Sequence, residues 1–201
     1  MSDAASTELP VSWVSATVAA AAAGELPPWA RVTEARREHI GRVTALMRQW
    51  AEELGLPAVD RMRWAAAGML HDALRDADTA ELRTILGRRF LDLHPVLLHG
   101  PAAAHLLSAD ADEALLRAIR YHTLGHPELD RLGRALYLAD FLEPGRDFAR
   151  EWRAELRERM PRELDSVVRE VVAARIRHLL EDGKPIRPET AAFWSSLTEE
   201  A

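Results

Sequence analysis

The 201-residue chain contains no cysteine. It therefore has neither disulfides nor thiolate metal ligands, and any metal must be held by His, Asp or Glu. Such donors favour iron, manganese, cobalt or zinc over softer ions. Lysine is almost as scarce: Lys184 is the only one, so 25 of the 26 basic residues (26 less 1) are arginine. Beside so much alanine, that bias reads as genome composition and carries no function by itself. No run approaches the roughly twenty apolar residues of a membrane span. The apolar stretch 11–23 has no basic flank before it and no cleavage site leading into a new domain, so it is not read as a signal peptide. A cytoplasmic location is expected. The net charge of −6 speaks against indiscriminate nucleic-acid binding. No Gly/Ser linker or charge block divides the chain.

What is present describes an ordinary globular protein, with 48% hydrophobic and 29% charged residues and enough length for one real core. The apolar periodicity is helical throughout. It predicts an Ala-rich helix over 11–23 ended by Gly24, then a longer one from Thr33 to Leu54 whose inward stripe is Val43, Leu46, Met47, Trp50 and Ala51. A third begins near Ala58 and carries His71 and Asp72 at its far end. Further helices are expected at 79–87, through VLLHGPAAAHLL, and at 111–123 and 129–141. A long one should run from Pro161 to Glu181 with Leu164, Val168, Val171 and Leu179 inward, and a last one opens at Pro188. No hairpin or alternating strand is found. The expected class is all-α.

The stretch MLHDALRDAD (69–78) follows an apolar run that leads into the interior. A carboxylate delivered there needs compensation, and a neutral imidazole beside it makes a natural ligand pair. One His-Asp dipeptide is weak evidence. A lone His on an apolar helical face is more often a core residue than a ligand; His105, His126 and His178 are read as surface residues or as lying behind the ligands, and His94, next to Pro95, fits either reading. The joint pattern says more. His39, His71, Asp72, His99, His122 and Asp140 each fall on the apolar face or inner end of a predicted helix. Burying all six unpaired would be costly, whereas a pair of metal ions would satisfy them.

The order His, His-Asp, His, His, Asp resembles the metal-dependent HD-domain phosphohydrolases. The flanking words are similar to one bacterial family within them, the YqeK-type symmetrical dinucleoside tetraphosphatases. Those words are ARREHIGRV (35–43), GMLHDALRDAD (68–78), LLHGPAAA (97–104), AIRYHTLG (118–125), LYLADFLEPGR (136–146) and EDGKPIRPET (181–190). Two departures stand out. Arg75 replaces the family's usual lysine three residues after the HD aspartate, which keeps a phosphate-binding cation but changes its geometry. His126 to Leu129 replaces a segment that usually holds a methionine.

The resemblance implies a single HD-type helical bundle over 27–199, preceded by an extension and Ala-rich helix over 1–26. Its di-metal centre, commonly iron with manganese or cobalt as alternatives, would lie between helices. The implied reaction is symmetrical cleavage of diadenosine tetraphosphate into two ADP. Asp72 would be the shared ligand, with His39, His71 and Asp140 completing one ion's shell and His99 and His122 on the other. Asp72 and Arg75 are the catalytic candidates. Arg75, Thr123 and Arg146 are the substrate-contact candidates, against a salt bridge for Arg146 and a helix cap for Thr123. The implied partner is the small-molecule dinucleoside polyphosphate, with a homodimer as the conceivable assembly. Two other classes stay open: another HD-type hydrolase acting on a deoxynucleotide or a guanosine alarmone, and a non-catalytic nucleotide sensor.

The ligand set alone generates a first prediction. Anaerobically purified protein should carry about two first-row ions per chain on N and O ligands. Elemental analysis checks this, and fewer than about one ion with activity intact in chelator would contradict it.

Overall fold

The computed structural model describes residues 14–199, and among them there are helices and no strand. Ten α-helices follow one another: α1 Ala16–Ala23, α2 Glu34–Glu53, α3 Ala58–Leu70, α4 Thr79–Leu86, α5 His99–Leu106, α6 Glu113–Tyr121, α7 Arg131–Leu142, α8 Arg150–Arg159, α9 Leu164–Glu181 and α10 Pro188–Glu199. A 3₁₀ turn, Pro95–Leu97, precedes α5. No helix among the described residues is long and apolar enough to cross a membrane. The predicted all-α class is the observed one.

Local chemistry accounts for four of the helix starts. Ser15, Thr33, Asp112 and Asp130 each accept a backbone N–H from the first turn of α1, α2, α6 and α7. The buried face of α2 runs through His39, Ile40, Val43, Met47, Trp50 and Ala51, so the apolar stripe carries the histidine inward with it. In α3 every residue from Trp64 to Leu70 is buried. That helix is covered all round, packing against α1, α2, α6 and α7. Val18 and Ala21 of α1 join the same core.

Close approach of α2 and α3 depends on one glycine. A Cβ added at Gly68 would lie 2.7 Å from the Cα of Thr44. Gly100 does the same for α5 and α6, where a Cβ would meet the Ile119 carbonyl at 2.9 Å and that of Arg120 at 3.1 Å. Each crossing puts two histidines side by side.

Several boundaries differ from the periodicity. The first helix begins at Ala16 rather than 11, and positions 11–13 lie outside the described residues. His71 caps α3 and Asp72 falls in the turn beyond, because the helix ends at Leu70. His122 likewise caps α6. The long helix starts at Leu164, with Pro161 in a turn after a cis peptide bond, and Leu179 is half-buried.

Helix α8 has no counterpart in the sequence reading, and the reason is physical. Its segment REWRAELRER buries only Arg153 and Leu156, so one of its two core residues is an arginine. Arg153 is 1% exposed and donates to the carbonyls of Phe141, Glu143 and Arg146, while Arg157 donates to that of Leu142. These are the unpaired carbonyls at and beyond the C-terminus of α7, which favour a cation. No apolar stripe marks such a helix.

The α2–α3 crossing can be tested directly. Gly68→Ala should destabilise the protein by about 1–3 kcal/mol, several degrees of melting temperature, since the new methyl meets backbone. Gly41→Ala, on the open face of α2 with nothing within 4 Å of its Cβ, should not destabilise it. Equal melting temperatures for Gly68→Ala and wild type would show that the crossing relaxes freely.

Candidate metal centre

The two glycine crossings deliver His39 with His71, and His99 with His122, to one buried cluster. Each ring is held from behind. Nδ1 of His71, His99 and His122 donates to the carbonyl three residues earlier, on Gly68 at 2.7 Å, Val96 at 2.9 Å and Ile119 at 2.8 Å. Nδ1 of His39 instead lies 3.2 Å from Glu143 Oε1. With the proton on Nδ1, every ring presents its Nε2 lone pair inward.

Those four nitrogens surround Asp72. Its Oδ1 lies 3.1 Å from His99 Nε2 and 3.4 Å from His122 Nε2, and its Oδ2 lies 3.6 Å from Nε2 of both His39 and His71. Asp140 Oδ1 is 3.2 Å from His39 Nε2. All six sequence candidates are thus brought together. His39, His71 and Asp140 offer ligand atoms within 4.8 Å of one another, as do His71, Asp72 and His122.

The donor set suits a metal ion. His99 Nε2 and His122 Nε2 are 3.1 Å apart, and His39 Nε2 and His71 Nε2 are 3.4 Å apart. Inward lone pairs at that spacing repel unless a cation or a proton lies between them. The outward hydrogen bonds orient the rings in the manner of metal-ligating histidines.

The electrostatics agree. Burial opposes ionisation of Asp72, but the imidazoles of His71, His122 and His99 outweigh it and hold the carboxyl well below its usual range. Asp140 is likewise depressed against burial, chiefly by its bond to His39. Burial pushes His71 down to about 4 and lowers His99, which keeps both rings neutral and able to bind metal. For His39 and His122 burial is outweighed by the carboxylates, and both are raised.

Sequence reasoning missed three residues. Glu143 is buried, accepts from Arg42 Nε at 2.6 Å and from the Gly145 amide at 2.7 Å, and is held at about 2, burial being outweighed by its bonds to His39 and Arg42. Arg42 reaches it only because position 145 is glycine, where a Cβ would lie 2.5 Å from the guanidinium. Arg36 donates to Asp72 Oδ2 at 2.7 Å. A periodicity signal existed for two of them: Glu143 is one turn after Asp140, and Arg36 one turn before His39.

Of the proposed substrate contacts, Arg75 has no hydrogen-bond or ion-pair partner for its guanidinium among the described residues. It lies near enough to lower His99. Thr123 Oγ1 is 3.0 Å from His122 Nε2. Arg146 is engaged, with Nη2 on Asp140 Oδ1 at 2.7 Å and Nε 3.6 Å from Glu143 Oε1. The other histidines stay outside the cluster. His94 caps the 3₁₀ turn, His105 meets Arg89, His126 stacks on Tyr121, and His178 is 68% exposed beside Asp182.

Fold and site together define a helical protein with a buried His/Asp centre able to hold divalent metal. A family model for the HD domain matches residues 36–145, more than half of the 201, and the chain belongs to the HD domain family. Relatives fall in the same place. The symmetrical bis(5'-nucleosyl)-tetraphosphatase of Bacillus subtilis is 30% identical over 83% of this chain and 91% of its own length. The enzyme of that name from Halalkalibacterium halodurans is 28% identical over 83% and 90%. A crystal structure from Clostridium acetobutylicum, titled a predicted HD superfamily hydrolase involved in NAD metabolism, superposes with a TM-score of 0.75. It covers 85% of this chain and 92% of that one at 24% identity, and it shows the shared fold.

Glu143 offers the sharpest test of the cluster. Replacing it by Gln removes the charge behind His39 while keeping size. Metal affinity should fall about tenfold or more, read as an earlier midpoint in chelator competition, with unchanged helical circular dichroism. An unaltered midpoint would mean that His39 is oriented without Glu143.

Proposed function

We propose that the chain is a metal-dependent hydrolase that cleaves diadenosine tetraphosphate symmetrically into two ADP. The observation that carries the reading is Asp72: one oxygen faces His99 and His122, the other His39 and His71. A carboxylate so placed is suited to sharing between two ions. His39, His71 and Asp140 would hold one ion and His99 and His122 the other, and the all-N/O donor set suits iron. Two divalent ions held there would supply Lewis acidity to phosphoryl oxygens and an activated water. The names of relatives that match over most of their length support the choice of substrate.

The chain's own groups do the rest. Arg75, a guanidinium with no hydrogen-bond or ion-pair partner among the described residues, binds phosphate oxygens bidentately beside His99. Arg36 and Arg146 neutralise Asp72 and Asp140 and stand at the edge of the cluster for the same charge. The Thr123 hydroxyl, against His122, is placed to meet a phosphate oxygen. Buried Nδ1–H bonds to backbone carbonyls hold the protons of three rings away from the reacting side.

Regiochemistry follows from where the nucleoside half sits. If one nucleoside diphosphate half fills the space beside the cluster, the second phosphorus from that nucleoside is the one attacked. Diadenosine tetraphosphate should then yield ADP alone, and the triphosphate-bridged analogue ADP plus AMP, more slowly. Chromatography of early time points decides it. ATP plus AMP from the tetraphosphate would refute symmetrical cleavage. No cleavage, alongside hydrolysis of dGTP or a guanosine alarmone, would assign another HD-type activity.

A further inference from the structure

Beyond the cluster, the segment after Glu143 carries a feature the chemistry above does not use. Phe148 is 53% exposed, the only aromatic among the large exposed hydrophobics of the described residues. Its ring is nonetheless held in place. The Arg153 guanidinium lies 4.8 Å from its centroid, and Phe141 meets it edge-on at 5.7 Å and 69°. That guanidinium is itself immobilised by the carbonyls of Phe141, Glu143 and Arg146. One face of the ring is therefore backed by a fixed cation while much of the side chain stays open to solvent.

The backbone beside it is unusual too. Ala149 has φ 45° and ψ 44°, a left-handed conformation that costs a residue with a Cβ of order 1 kcal/mol. Strain of this kind is retained where the surroundings demand a particular direction of the chain, often at ligand clamps. Here it falls directly after the exposed ring and at the entry to α8.

The position relative to the cluster points to the occupant. Arg146 bonds Asp140 Oδ1 and stands two residues from Phe148, so their Cα atoms are at most about 7 Å apart. Arg175 also lies 5.9 Å from the Phe141 ring and donates to the Thr123 carbonyl, next to His122. The Phe141–Phe148 pair is thus tied to the cluster through Arg146 on one hand and through Arg175 and Thr123 on the other. A nucleotide whose phosphates lay on Arg146 would have its base within reach of the exposed ring.

We propose that Phe148 is a stacking platform for a nucleobase of the substrate, held in place by Arg153. The proposal rests on the nucleotide reading above, and stacking of this kind takes a flat aromatic base without reading its edge. Phe148 is a binding residue, and Arg153 is a positioning residue.

The test uses metal-loaded full-length protein and three probes: diadenosine tetraphosphate, ADP, and inorganic pyrophosphate, which has no base. For Phe148→Ala, KM for the tetraphosphate should rise and ADP affinity should fall, each about tenfold, with kcat changed far less. Pyrophosphate affinity should not move, and Phe148→Trp should restore ADP binding. Unchanged ADP affinity in Phe148→Ala would overturn the proposal. Equal weakening of ADP and pyrophosphate would overturn it too, by showing a disturbed phosphate site. If wild type binds ADP in a Phe148-dependent way yet leaves the tetraphosphate intact, the base platform stands and the assigned reaction alone is lost.

Discussion

Everything in this molecule depends on keeping two carboxylates and four imidazole lone pairs together in a place that excludes water. Asp72, His71, His99 and His122 are each at most 3% exposed. Isolated, such groups would be expelled or neutralised. The structure compensates them from both sides. Outward, each Nδ1–H finds a carbonyl or, for His39, the Glu143 carboxylate. Inward, the nitrogens and carboxylates face one another across distances that a cation would relieve. Arginines at the rim, Arg36 and Arg146, supply further positive charge. An ion held there would stabilise the fold as well as serve the chemistry, because what it would satisfy is already buried.

Two devices make that burial possible. The first is glycine at a helix crossing: Gly68 lets α2 touch α3, and Gly100 lets α5 touch α6, each bringing a histidine pair within reach. The second is the arginine clamp on the end of α7. Arg153 and Arg157 hold the carbonyls from Phe141 to Arg146, so Asp140, Glu143, Arg146 and Phe148 are presented from one stiffened segment. The cost of burying Arg153 shows in its basicity, lowered to about 10 by desolvation and by the nearby Arg146 and Arg157. A buried cation is tolerated there because helix-terminal carbonyls provide the acceptors. Membership of the HD domain family covers 36–145, yet the clamp comes from beyond that span.

The sequence by itself determined the fold class and the identity of the six central side chains. Apolar periodicity is a local property, so the inward stripes of α2 and α3 could be read directly, and the histidines travelled with them. The absence of cysteine likewise decided the kind of donor before any coordinate was known. Only the tertiary structure decided what stands behind those donors. Helical spacing places Glu143 near Asp140 and Arg36 near His39, but the roles of Glu143, Arg42 and Arg36 arise from partners distant in the chain, such as Glu143 and His39 at a separation of 104 residues. Helix α8 was invisible for another reason: one of its two buried residues is an arginine, and hydrophobic patterning does not register a cation satisfied by carbonyls. Which oxygen of Asp72 faces which histidine pair is likewise a matter of packing, since hydrogen bonds and helix crossings set it in three dimensions while spacing along the chain leaves it free.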